Sequence, residues 1–251
     1  MELESRDAAG GWLARLSLCL PLVFLIGVPT ILITRVIFLN YHPERFVTSS
    51  PSISETASLP PASLFFVALM LVVVACIFVS WPLNAFCNQT RLRLLAGRGV
   101  AVTGPTILHW TACLVGLFAG ASLAVVAIYN LEDDHDIHLM GSWAFYISQA
   151  VSITLDILFV LWVRRLAGNP EQGDGLRRRI LVAIGIFLGS WFFLYMYLSK
   201  DYAAPENRYA IQLVYVAAEY FVATFFLAYP MTAYPEMRRH FREFSATARM
   251  N

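Results

Sequence analysis

Six apolar runs, each close to the ~20 residues that cross a bilayer as a helix, take up most of this 251-residue chain. They fall at about 17–39, 62–83, 106–129, 139–163, 180–199 and 211–233. In hydrocarbon a segment must satisfy its own backbone N–H and C=O groups, so runs of this kind fold as helices. They predict an all-α polytopic membrane protein. The expected form is a six-transmembrane-helix bundle, one domain over 1–251, with a short basic tail at 234–251. Charged residues make up 14% of the chain, against about 25% in a soluble domain. Mean hydropathy is +0.62. The connecting stretches leave no room for a soluble domain. The first run is too long for a signal peptide and its flank, MELESRD, is acidic, so it is expected to stay as a span.

Net charge is +1, which gives no ground for nucleic acid as a partner. The distribution of basic residues is uneven, however. With the N-terminus in the cytosol, fourteen Lys and Arg fall on the cytosolic side, among them Arg6, Arg91, Arg164, Arg177–Arg179 and Arg249. The other side holds Arg35, Arg45, Lys200 and Arg208. Positive charge stays inside, so both termini are expected to be cytosolic. The sequon Asn88-Gln89-Thr90 then lies on the wrong side for glycosylation. None of the cysteines 19, 76, 87 and 113 falls in a luminal loop, and no structural disulfide is expected. Cys87, at the cytosolic membrane edge, is a palmitoylation candidate and more simply a plain thiol.

Trp81, Trp110, Trp143 and Trp162 sit near span ends, which predicts an interfacial aromatic belt. Gly116/Gly120 and Gly185/Gly189 form G-x-x-x-G patterns, which let helix backbones approach closely. Packing inside the bundle is their first reading and a homo- or hetero-oligomer contact the second. In the tail, Met237, Phe241 and Phe244 share one side among arginines, a pattern that suits anionic lipid or the basic end of a last span.

The segment Glu132–His138, EDDHDIH, packs four acids and two histidines between two spans. His135 and His138, with Asp134 or Asp136, could share a metal. Acids also suit a helix start in water, and that is the preferred reading: no metal and no cofactor are expected. His138 opens a polar stripe along the fourth span with Ser142, Gln149, Ser152 and Asp156, Phe145 lying in the gap. His138 and Asp156 are five turns apart, about 27 Å along the axis, so they share a face without touching. Asp156 is expected to pair with His109, Arg164 or Arg165. A continuous stripe would suit a transporter, but no second charged span completes it. The sixth span offers Gln212, Tyr215 and Glu219. Ser52 and Ser54 enter the same side from the first loop, and a serine, a histidine and a carboxylate at one membrane face can act as nucleophile, base and orienter.

PSISETAS (Pro51–Ser58), IHLMGSWAF (Ile137–Phe145) and AAEYFVATFFLAYPMTAYPEM (Ala217–Met237), in that order on six spans, carry a resemblance covering nearly the whole chain. They resemble the family that joins the FGF-receptor-activating protein, the damage-regulated autophagy modulators and the N-terminal domain of the yeast cell-wall protein Cwh-forty-three. The matching positions are Pro51, Ile53, Ser54, His138, Glu219 and Tyr220. MTAYPEM is most similar to the branch that remodels GPI-anchor lipids, whereas SISET and AAEY lean toward the autophagy modulators. The long cysteine-bearing first loop of some relatives is missing. The resemblance implies a protein of endoplasmic reticulum or Golgi membranes, alternatively of lysosomal or plasma membranes. It implies membrane lipids and GPI-anchored proteins as partners and GPI-anchor lipid remodelling as function, with acyl transfer or acyl hydrolysis as the activity. The alternative is a non-enzymatic lipid- or partner-binding regulator of autophagy or phosphoinositide signalling. The residues selected are Ser54, His138 and Glu219 for catalysis, with Ser52, Gln149, Tyr215 and Tyr220 around the substrate.

Overall fold

A computed structural model describes residues 11–168, 174–202 and 204–250, with side chains as far as Arg242 and without those of 48, 174 and 201. Arg6, Arg249 and the side chain of Phe244, invoked above, lie outside the described residues. The long helices are numbered α1 (Cys19–Tyr41), α2 (Ala62–Ala96), α3 (Thr103–Ile128), α4 (His135–Ala167), α5 (Asp174–Ser199) and α6 (Arg208–Met250). Single helical turns at Arg45–Thr48 and Ile53–Thr56 interrupt the α1–α2 loop, and two 3-10 turns join α5 to α6. Among the described residues there is no strand. The helices supply six segments long and apolar enough to span a membrane: Gly11–Tyr41, Ala62–Ala96, Thr103–Ile128, His135–Ala167, Gly175–Ser199 and Pro205–Arg242. An even number of crossings puts the described ends of the chain on one side, here the terminal end. The α1–α2, α3–α4 and α5–α6 connections share the other, the loop end.

The helices pack as a ring in chain order, each on the next, and α6 closes on α1. One seam is loose: α5 lies along α6 and touches α4 only slightly. Small residues make the tight seams. A methyl at Gly116 would collide with the Trp81 ring, and one at Gly120 would press on Ile77. Gly185 faces Phe225, and Gly189 faces Phe221 and Val222. Both G-x-x-x-G faces are therefore covered by neighbouring helices of the same chain.

One expectation changes, and two open alternatives narrow. Trp81 does not belong to an interfacial belt. It follows Val74 and Ile77 on the inner face of α2 and is buried against α3, whereas Trp110 and Trp162 are exposed. The basic tail is carried by α6, which continues through Pro230 and Pro235 to Met250. Met237 and Phe241 pack inward with Leu20, Leu83 and Cys87, so that face is not free for lipid. Burial in the same cluster removes Cys87 from reach of acylation. Asn88 is likewise buried, leaving no space for a glycan.

Candidate functional site

The loop-end site is built on the segment Ser50–Ser58, a proline-containing loop that is buried over the mouth of the bundle except at Ser54 and Glu55. Buried irregular backbone needs partners for its polar groups, and side chains provide them. Arg35, the lone cation of the first apolar run, donates Nη1 to the Pro51 carbonyl at 2.6 Å and Nη2 to Ser50 Oγ at 2.9 Å. Its guanidinium rests over the Phe46 and Tyr220 rings. Gln212 Nε2 donates to the Ser50 carbonyl at 3.1 Å. Ser52 and Glu55 form a reciprocal capping box that starts the turn Ile53–Thr56. Glu219 Oε2, from α6, accepts the Ile53 N–H at 2.9 Å.

The opposing wall is the start of α4. Asp134 caps it, its carboxylate accepting the Ile137 N–H at 3.0 Å. Asn130 Oδ1 accepts the N–H groups of Glu132 and Asp133. Most of the acid cluster is thus turn and cap chemistry. One turn further on, His138 is buried. Its Nδ1–H donates to the Tyr129 carbonyl at 2.7 Å, and Ser54 Oγ donates to its Nε2 at 2.9 Å. A carbonyl can only accept, so the Tyr129 bond puts the proton on Nδ1 and leaves Nε2 as a free base toward the hydroxyl.

Between these walls lies a cavity of about 290 Å³. Ser54, His138 and Glu219 line it with Tyr146, Tyr215 and Lys200. The Lys200 ammonium lies 4.6 Å from the Tyr197 ring centroid and 5.0 Å from that of Tyr215. Among the described residues it forms no ion pair with a carboxylate.

Ser54 and His138 come together across 84 positions of sequence. Glu219 reaches the same cavity but holds the Ile53 backbone, and the orienting partner of His138 is a main-chain carbonyl. Ser52 lines the cavity with its hydroxyl already engaged as a cap. Gln149 and Tyr220 do not line it. Gln149 lies three turns along α4, beyond a layer in which Phe145 and Tyr146 both meet Phe226. Tyr220, one residue around α6 from Glu219, turns to Arg35. Arg35, Tyr146 and Lys200 were not selected from the sequence. Arg35 was signalled by its isolation in an apolar run. Nothing local pointed to the other two.

The far end of the α4 stripe is a different kind of site. Asp156 pairs with neither His109 nor an arginine of its own helix. Its carboxylate accepts from Arg179 Nη1 at 2.8 Å, Tyr229 at 2.7 Å and Asn84 at 2.8 Å. His109 instead bonds Gln89 at 3.0 Å. Arg179 also binds Glu236, which takes Arg91 at 2.9 Å. Four helices are tied by one buried network, and the aromatic layer separates it from the cavity, so the stripe is not a continuous polar path.

A family model described as Frag1/DRAM/Sfk1/Cwh43P N-terminal domain matches residues 12–240. No curated protein and no solved structure matches the chain.

Proposed function

The chain belongs to the Frag1/DRAM/Sfk1/Cwh43P N-terminal domain family of multi-pass membrane proteins, and from that premise we propose that it takes part in GPI-anchor lipid remodelling as an acyl-transfer or acyl-hydrolysing enzyme. The observation that carries the reading is the bond from the Ser54 hydroxyl to the free base of His138, 2.9 Å long, on the wall of a cavity. The arginine asymmetry supports an orientation with both termini in the cytosol and the cavity on the luminal side, where GPI anchors reside. Endoplasmic reticulum or Golgi membranes fit that orientation.

In this mechanism Ser54 Oγ attacks the carbonyl carbon of a lipid ester, and its proton passes to His138 Nε2. The imidazolium then protonates the leaving alkoxide oxygen as the ester C–O bond breaks. The acyl group stays on Ser54, and the lyso-lipid leaves as an alcohol. Water, or the hydroxyl of an acceptor lipid, gives its proton to Nε2 and attacks the acyl-serine; the imidazolium returns that proton to Ser54 Oγ as the acyl C–Oγ bond breaks, and the free acid or the new ester leaves. The Tyr129 carbonyl keeps the ring in the productive tautomer. Glu219 and Arg35 position the turn that carries Ser54.

The test compares cells lacking the protein, rescued by wild type, Ser54→Ala or His138→Ala at matched expression, by the acyl-chain profile of their GPI-anchored proteins. Wild type is expected to restore the profile and both variants to fail. A profile unchanged by the deletion sinks the remodelling reading. One observation favours a second reading, a lipid-binding regulator without catalysis: His138 Nδ1 meets a neutral carbonyl, which lends an imidazolium less stabilisation than a carboxylate would. Rescue by both variants would select that reading.

A further inference from the structure

The loose α4/α5 seam bears a second hollow, of about 170 Å³. It is lined by Ile147 and Ala150 from α4 and by Phe187, Trp191 and Leu194 from α5, almost wholly apolar and open to the outer face of the bundle. Trp143, Tyr146 and Phe193 belong to its wall and also to the wall of the polar cavity. The two hollows thus share three aromatic residues. Tyr146 and Phe193 meet at 5.7 Å between ring centroids.

The occupant of this groove follows from where it lies. At this depth the surrounding medium is hydrocarbon, so an apolar groove gains nothing from excluding water, and what fills it is an acyl chain. Such a chain, entering between α4 and α5, would lead its own polar end past Trp143 into the cavity. There the cation on the wall is Lys200, held over two ring faces. Glu55 and Glu219 share that wall, each accepting a backbone N–H of the turn that carries Ser54. The Lys200 ammonium is the group on that wall that a lipid phosphate can meet. The ester linking chain to headgroup would come to the Ser54–His138 wall.

We propose that the α4/α5 seam is a lateral entrance for one acyl chain of an anionic phospholipid, the chain in the Ile147–Phe187 groove and the phosphate at Lys200. This deepens the reading of the cavity as a lipid site and rests on it for the ester chemistry alone.

The full-length protein in phosphatidylcholine vesicles would be given phosphatidic acid bearing a diazirine midway along one acyl chain, then photolysed and mapped by mass spectrometry. Label is expected to concentrate on Ile147, Ala150 and Phe187 above Leu64 and Leu114, which are exposed on other faces. Equal labelling of all faces overturns the proposal. Ile147→Trp and, separately, Ala150→Trp should remove the excess. Ile147 is more than half exposed, so its variant tests the groove without disturbing the core. Lys200→Gln should lower seam labelling about tenfold, the worth of one charge-assisted contact. Undiminished labelling overturns the headgroup assignment. Ser54→Ala and His138→Ala should label like wild type. Their labelling with no acyl transfer by wild type supports the entrance and sinks the enzyme reading, and acyl transfer without seam labelling does the reverse.

Discussion

The two ends of the α4 stripe use the same residue types to opposite effect. At the terminal end Asp156 faces Arg179, Tyr229 and Asn84, all buried, and none of the four lines either of the two hollows described above. At the loop end His138 also has two partners, but one is a hydroxyl on a cavity wall. Charges far from water must be matched by fixed partners, and a network so matched resists change. A base beside an empty space can exchange its partner for a ligand. The terminal end reads as a clamp on four helices, and the loop end as a place where chemistry can occur.

The sharpest way to break this comparison is to disarm the clamp. Arg179→Ala leaves Asp156 without its counter-ion in the core and should cost about 3–5 kcal/mol of stability. Thermal unfolding of the detergent-purified protein would show it. The double change Asp156→Leu with Arg179→Met removes the buried charge pair and should recover part of that loss, the remainder being the orphaned Tyr229 hydroxyl and Asn84 amide. If the single change leaves stability untouched, the network is not a clamp.

At the loop end the order reverses, with large effects on activity and small ones on stability. Ser54→Ala and His138→Ala should each lower acyl transfer by about 10²-fold or more. The cavity lets water replace the missing partner, so unfolding should move by no more than about 1 kcal/mol. Both readouts on the same preparations decide the matter. A stability loss equal to that of Arg179→Ala would place His138 with the structural network instead.

Glu219 divides an anchoring role from an orienting one. As the acceptor of the Ile53 N–H, it can be replaced by Gln, whose side-chain carbonyl accepts the same bond. Glu219→Gln should keep most activity. Glu219→Ala leaves that N–H unpaired, at about 1–3 kcal/mol, and should lose activity as the Ser54 turn shifts. Equal loss in both variants would restore a role for the negative charge beside His138.

What could be read from the sequence follows from the range of the forces. The six spans were legible because bilayer thickness fixes their length locally. The meeting of Ser54 and His138 has no local signature, since no periodicity links a loop turn to a helix start so far along the chain. The residues alone offer Ser52 and Ser54 together beside His138, and the family resemblance singles out Ser54. Arg179 was counted with the loop arginines, yet it shares a helical face with Leu176, Ala183 and Ile186, all buried, while Arg177 and Arg178 point out. That phase was available and would have led to Asp156. The groove at the loose seam was not legible, because looseness between helices depends on how every other seam closes.

The smallest effect concerns two serines that the sequence alone treats alike. Ser52 and Ser54 stand two residues apart in Ser-Ile-Ser-Glu, and Ser52 was expected near the substrate. Its hydroxyl accepts the Glu55 N–H at 3.1 Å, and the Glu55 carboxylate takes its N–H in return, the reciprocal pattern of a capping box. Loss of such a cap costs about 1 kcal/mol. Ser52→Ala should therefore lower stability by that amount and reduce activity only as far as the turn frays. Ser52→Thr, which keeps the capping oxygen, should restore both. Ser54→Thr keeps a hydroxyl too, but adds a methyl at the position that must approach an ester, so it should recover little activity. If threonine rescues position 54 and fails at position 52, the two roles are reversed, and the nucleophile is the serine that caps the turn.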